Sequence, residues 1–256
     1  MGAIVAPPAF WRYPRVIAHR GGGTLAPENT LAALHMAVER GYRAVEFDVM
    51  LSADGTPVII HDETLERTTN GRGDVAETSA AVLATLDAGG WFGAQFTGES
   101  VPRFADAGAL CVTSGLWANV EIKPSAGADR ATGRKTALLA AKLWADAPLP
   151  PLLSSFSTVA LEAAHEVAPH LPRGLLYDAP SVDWLRELRR LECVSLHCNV
   201  RHFTPALLNE AQTHGVPVVL YTVNDVDTAA CWLDAGVAAV ITDRLDLIAP
   251  DLAGRT

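Results

Sequence analysis

Short apolar runs rich in β-branched residues alternate with helical stretches along almost all of the 256-residue chain, and few folds accept that rhythm. The runs lie at 16–19, 44–51, 58–61, 119–123, 152–156, 174–177, 194–197, 216–223 and 239–242. Helical stretches fall at 29–40, 132–146, 158–167, 182–191, 205–214 and 226–235, with a further one from 103 to about 112. Runs such as "PVVLYTV" are apolar without alternation, as expected of parallel strands covered on both faces. The pattern predicts a (β/α)8 TIM barrel, except that nine runs are one too many. The excess sits in "VEFDVMLSADGTPVIIHD", where Asp54-Gly55 marks a hairpin turn and the gap is too short for a crossover helix. The run at 58–61 is therefore an extra strand folded back on the second one.

From 62 to about 102 the rhythm breaks into Gly-, Thr- and charge-rich segments with interspersed aromatics. This reads as a small insertion over the barrel mouth, within a single TIM-barrel domain spanning 1–256. Hydrophobic residues at 49% and charged ones at 19% suit a chain with a substantial core. A net charge of −9 argues against a nucleic-acid surface, yet leaves room for a small anionic substrate met by local cations. The opening "MGAIVAPPAFWRYPR" lacks a basic leader and an apolar signal core, and no run reaches the ~20 residues of a membrane helix. Cys111, Cys193, Cys198 and Cys231 form no CxxC pair, which favours buried free thiols over a disulfide framework. A cytoplasmic protein without stable membrane association, as a monomer or homodimer, is the expectation.

In such a barrel, chemistry gathers at the C-terminal strand ends. The first strand ends in His19 and Arg20, and the second carries Glu46 and Asp48. The hairpin return carries His61, and the next strand carries Glu121 and Lys123. Residues two apart on a strand share a face, which pairs Glu46 with Asp48 and Glu121 with Lys123. A turn centred on Asp54-Gly55 sets His61 opposite Asp48 to within a register step. Three converging carboxylates repel unless a cation lies among them, and an all-oxygen set suits Mg²⁺ or Ca²⁺. Arg20 and Lys123 add positive charge for anionic oxygens, and His19 and His61 suit an acid–base pair. The glycines of "HRGGG" let the backbone approach a bulky anion.

Taken singly, each of these residues has an ordinary reading, "PENT" being most simply a helix start with Asn29 or Thr30 as its cap. Seven polar residues interrupting apolar strands at one end are costly unless they satisfy one another, so a functional site is the better reading. His197 also ends a strand and is placed at the rim, with substrate contact the minority reading. His35, His165, His170 and His214 read as surface residues. Tyr221, near the end of the strand at 216–223, suits either a core role or one facing the leaving alcohol.

The segments "AHRGGGTLAPENTLAAL", "VEFDVMLSADGTPVIIHDETLERTTNGRG", "NVEIKP", "LLSSF", "YTVN" and "ITD" resemble the glycerophosphodiester phosphodiesterase family. Within it the chain looks most like the cytoplasmic bacterial members associated with glycerol 3-phosphate uptake. The resemblance implies hydrolysis of glycerophosphodiesters to sn-glycerol 3-phosphate and an alcohol. By matching position it implies Glu46, Asp48 and Glu121 as ligands of one divalent cation and His19 and His61 as the catalytic pair. Arg20 and Lys123 would then hold phosphate. The family often has Trp where Tyr221 stands, and Tyr221 is carried as a substrate-binding candidate. Two alternatives remain open: a lysophospholipase D, with Trp91, Phe92 and Phe96 as apolar contacts, and a non-catalytic phosphate-binding barrel. A relative of phosphatidylinositol-specific phospholipase C fits the motif series less well.

Overall fold

A computed structural model describes residues 11–252. The first ten residues, on which much of the N-terminal reading rests, lie outside them. The elements are β1 (Val16–Ala18), α1 (Leu31–Glu39), β2 (Ala44–Leu51), β3 (Pro57–Ile59), α2 (Ala80–Leu83), α3 (Phe104–Ser114), β4 (Trp117–Ile122) and α4 (Asp129–Leu143). There follow β5 (Leu152–Ser155), α5 (Thr158–Val167), β6 (Arg173–Tyr177), α6 (Trp184–Arg190), β7 (Ser195–Asn199), α7 (Pro205–Thr213), β8 (Val218–Tyr221), α8 (Val226–Asp234) and β9 (Ala239–Thr242). Eight strands pair in parallel, from β2 through β4 to β9 and on to β1, and the β1–β2 pair Ala18↔Val45 closes the ring. Side-chain caps fix several helix starts: Thr30 accepts from Ala33 N, Ser157 from Ala160 N, Thr204 from Leu207 N and Asp225 from Thr228 N.

β3 is the expected extra strand, antiparallel to β2 through Val49↔Ile59, Met50↔Val58 and Leu51↔Pro57. Its turn differs by one residue from the expected one. Ser52 N bonds Thr56 O at 3.0 Å, so the loop holds three residues and centres on Asp54. Ile60, not His61, therefore lies opposite Asp48, with Ile60 N donating to Asp48 O at 3.1 Å.

The strand period sorts side chains between two surfaces. Val45, Phe47 and Val49 of β2 point outward and pack with Leu34, Phe104 and Ala107 of the helices. Glu46 and Asp48 must then point into the barrel. The barrel floor is plugged by Trp11, Tyr13 and Trp117, the last two stacked with centroids 4.4 Å apart. Above the floor, Asn119, Ser154, Ser195 and His197 are buried. His197 is thus no rim residue: its Nε2 meets Ser195 Oγ at 3.0 Å, and burial pushes its pKa down to about 3. Beyond the barrel, Met50, Val58 and Ile60 of the hairpin share a small core with Leu65, Val75, Leu83 and Val101. The segment at 62–102 is thereby anchored to β2 and β3 by its own apolar residues.

Candidate active site

Glu46, Asp48 and Glu121 each present a carboxylate oxygen, all within 4.8 Å of one another. The parallel register sets Asp48 directly beside Glu121, and Glu46 lies one pleat lower on the same inward face. Glu46 is 3% exposed, Asp48 2%, and the Glu121 side chain 12%. Burial and the two neighbouring carboxylates drive the Glu46 pKa well above the ordinary range. Burial, then Asp48, pushes Glu121 up to about 8. Burial acts upward on Asp48 too, but Arg20, Lys123 and His61 outweigh it and hold this carboxyl below its usual value. The protein's own cations thus keep one of the three acids readily ionised. A hard divalent cation suits both the all-oxygen donor set and the remaining charge deficit.

Two cations face these acids. Arg20 Nε lies 3.6 Å from Asp48, and Lys123 Nζ lies 3.7 Å from Asp48 and 3.8 Å from Glu121. The Arg20 backbone N–H also donates to Glu46 Oε2 at 3.0 Å, with Arg20 itself at φ 49°. Each histidine is held at Nδ1 by an acid: His19 by Asp243 at 2.5 Å, and His61 by Asp62 at 2.6 Å. His19 Nε2 turns toward Glu46, 3.8 Å away, and Lys123 Nζ donates to His61 Nε2 at 2.7 Å. Burial, assisted by Arg20 and Lys123, depresses the His61 pKa and favours the neutral ring. All seven residues singled out at the strand ends therefore meet at one end of the barrel.

Other participants lie outside those seven. Asn29, at φ 56°, clamps Asp48 twice: Nδ2 donates to Oδ2 at 2.9 Å and Oδ1 accepts the Asp48 N–H at 3.1 Å. Thr30 is the helix cap, which frees Asn29 for this bond. Asp243 is steadied by Asn224, which donates from Nδ2 and accepts the Asp243 N–H, both at 2.8 Å. Glu28 receives Arg20 Nη1 at 2.5 Å. "PEN", "YTVN" and "ITD" hold these residues, but their partners are 8 to 224 positions away. The glycines also differ from expectation. A Cβ on Gly23 would stand 2.2 Å from Asp243 O, and one on Gly21 3.0 Å from Ala33. The space beside them is filled by protein, so they bring the loop against α1 and β9.

Tyr221 donates from Oη to Tyr177 O at 2.8 Å and meets Phe156 edge-on at 6.1 Å. Phe156 in turn lines a cavity of about 360 Å³ with Glu121, Lys123 and Pro124. Trp91, Phe92 and Phe96 pack edge-on in sequence, with Trp91 44% exposed. Of the remaining histidines, His35, His170, His202 and His214 are exposed and His165 is half-buried. All four cysteines are free; Cys111, Cys193 and Cys198 are buried, but Cys231 is exposed. Among the described residues no helix is long and apolar enough to cross a membrane.

Residues 19–247 match the Glycerophosphoryl diester phosphodiesterase family. The chain is 36% identical over 228 residues to the glycerophosphodiester phosphodiesterase of Caldanaerobacter subterraneus subsp. tengcongensis, covering 89% of this chain and 93% of that protein. It superposes with a TM-score of 0.88 on an Oleispira antarctica phosphodiesterase solved in complex with the product sn-glycerol-3-phosphate. The two are 36% identical, with 94% of this chain and 96% of that one covered. A glycerophosphodiester phosphodiesterase from Agrobacterium tumefaciens is 28% identical, with a TM-score of 0.76 over 95% of this chain and 100% of that one.

Proposed function

The chain belongs to the glycerophosphoryl diester phosphodiesterase family, and on that footing we propose how its residues divide the work. The protein is an enzyme that hydrolyses glycerophosphodiesters to sn-glycerol 3-phosphate and an alcohol. Glu46, Asp48 and Glu121 hold one divalent cation, Mg²⁺ or Ca²⁺, which when bound stabilises negative charge on the phosphate oxygens. Arg20 offers a planar fork to the phosphate and Lys123 a point charge. His19 and His61 move the protons: one ring takes a proton from the attacking hydroxyl or water, and the other protonates the departing oxygen. Asp243 and Asp62, bound at Nδ1, hold each ring so that Nε2 is the atom offered to substrate. Lys123 covers His61 Nε2 in this structure, and swinging its ammonium onto phosphate frees that nitrogen. Tyr221 and Phe156 border the glycerol or the head group.

The observation that carries this reading is the convergence of three acids, two cations and two carboxylate-held histidines at one barrel end. Sparse free cysteines fit a cytoplasmic setting, and the acidic charge fits a small-molecule substrate rather than nucleic acid. The chain acts as one catalytic barrel, 1–256, with its insertion at 62–102, as a monomer or homodimer. The test is release of sn-glycerol 3-phosphate from glycerophosphoglycerol or glycerophosphoethanolamine, with and without EDTA. Turnover abolished by EDTA and restored by Mg²⁺ or Ca²⁺ is expected. No turnover on either substrate with metal present refutes the function.

A further inference from the structure

One guanidinium links the two halves of the site without touching the carboxylates that would hold metal. Arg67, in the segment that follows β3, donates from Nε to Asp62 Oδ2 at 2.5 Å and from Nη2 to Asp62 Oδ1 at 2.9 Å. It also donates from Nη1 to Glu28 Oε2 at 2.7 Å and from Nη2 to Glu28 Oε1 at 2.9 Å. The same Asp62 Oδ1 holds His61 Nδ1, and the same Glu28 Oε1 holds Arg20 Nη1. We infer that Arg67 is a positioning residue of the reaction, a two-sided clamp setting His61 and Arg20 in mutual register for one phosphate. The inference rests on the function proposed above.

The geometry requires arginine. His61 follows β3 and Arg20 follows β1, and the two lie on separate loops. Arg67 offers two edges of a rigid plane, one to each carboxylate, whereas a lysine ammonium cannot form both forks. Without it, Glu28 keeps only Arg20 and Asp62 only His61 among the described residues, nothing ties the two carboxylates together, and each is free to turn with the group it holds. Arg67 is itself 44% exposed and belongs to no buried apolar cluster, so its removal spares the core.

The test compares Arg67→Ala and Arg67→Lys with the parent in kcat, KM and thermal midpoint, on glycerophosphoethanolamine with metal present. Loss of roughly 10- to 100-fold in kcat is expected for Arg67→Ala, as for other groups that orient catalytic ligands from behind. The midpoint stays near that of the parent, and Arg67→Lys recovers little. Added guanidinium ion, well below denaturing concentrations, restores part of the Arg67→Ala turnover without raising its midpoint. Arg67→Ala turnover within about twofold of an active parent, or a loss that guanidinium does not restore, overturns the clamp alone. An inactive parent removes the function and the clamp with it.

Discussion

At the scale of single residues, neighbours set the state of Glu46, Asp48, Glu121 and His61. His61 is the sharpest case: Asp62 at Nδ1 and Lys123 at Nε2 leave it one donor and one acceptor. His61→Ala is expected to lower turnover by roughly 10²–10⁴-fold with the fold intact, measured as kcat alongside the thermal midpoint. Near-normal turnover removes it from the mechanism. Asn29→Ala deletes both bonds to Asp48 and puts alanine at φ 56°, where a left-handed backbone disfavours it. It is expected to cost about 1–3 kcal/mol from the unsatisfied Asp48 groups, and to weaken Mg²⁺ or Ca²⁺ binding roughly 10- to 100-fold by calorimetry. Unchanged stability and affinity contradict that role. The strand-end residues were legible in the sequence because acids and cations in apolar strands need a reason. Glu28, Asn29 and Arg67 were not, because loop polar residues are ordinary until their distant partners are known; Asp243, directly after the run at 239–242, stands at a strand end too, but a lone acid there is equally ordinary until its bond to His19 is seen.

Among the elements, the βα rhythm could be read because helix and strand periods are local properties. Strand ends moved by one to two residues, with α5, β2 and β9 falling where the pattern set them. The hairpin register slipped by one because Asp-Gly serves both two- and three-residue loops. The glycines after Arg20 were misread for a related reason: sequence announces backbone freedom without saying what fills the space. Gly23 stands at φ +53° against the Asp243 carbonyl, and Asp243 holds His19. Gly23→Ala therefore combines a strained backbone with a clash and displaces the segment carrying Asp243. Destabilisation of more than about 1 kcal/mol in denaturant titration is expected, with lowered kcat. A neutral substitution contradicts the packing role. Arg67 lies among exposed ion pairs of a kind worth only about 0–1 kcal/mol to folding, so its importance is to be sought in turnover rather than stability.

For the molecule as a whole, the barrel gathers more negative charge at one end than its own cations ionise comfortably. Glu121 shifts from 4.5 to about 8 on folding, and Glu46 shifts the same way. A folded state that holds protons more tightly gains stability at low pH, and loses that contribution as pH rises through about 8. A metal ion held by these acids would replace those protons, so the increase in thermal midpoint on adding Mg²⁺ or Ca²⁺ is expected to grow between about pH 5 and pH 8. Comparing the two forms at each pH cancels opposing groups such as His197, whose depressed pKa removes stability as pH falls below 6.5. An increment that shrinks or stays flat across the interval contradicts the charge deficit. The most direct test is anomalous diffraction from crystals of the active protein grown with Mn²⁺, a hard cation with strong anomalous signal. One ion ligated together by Glu46, Asp48 and Glu121 supports a metal-centred phosphodiesterase; an active protein with no ion there, or with its ion elsewhere, refutes it.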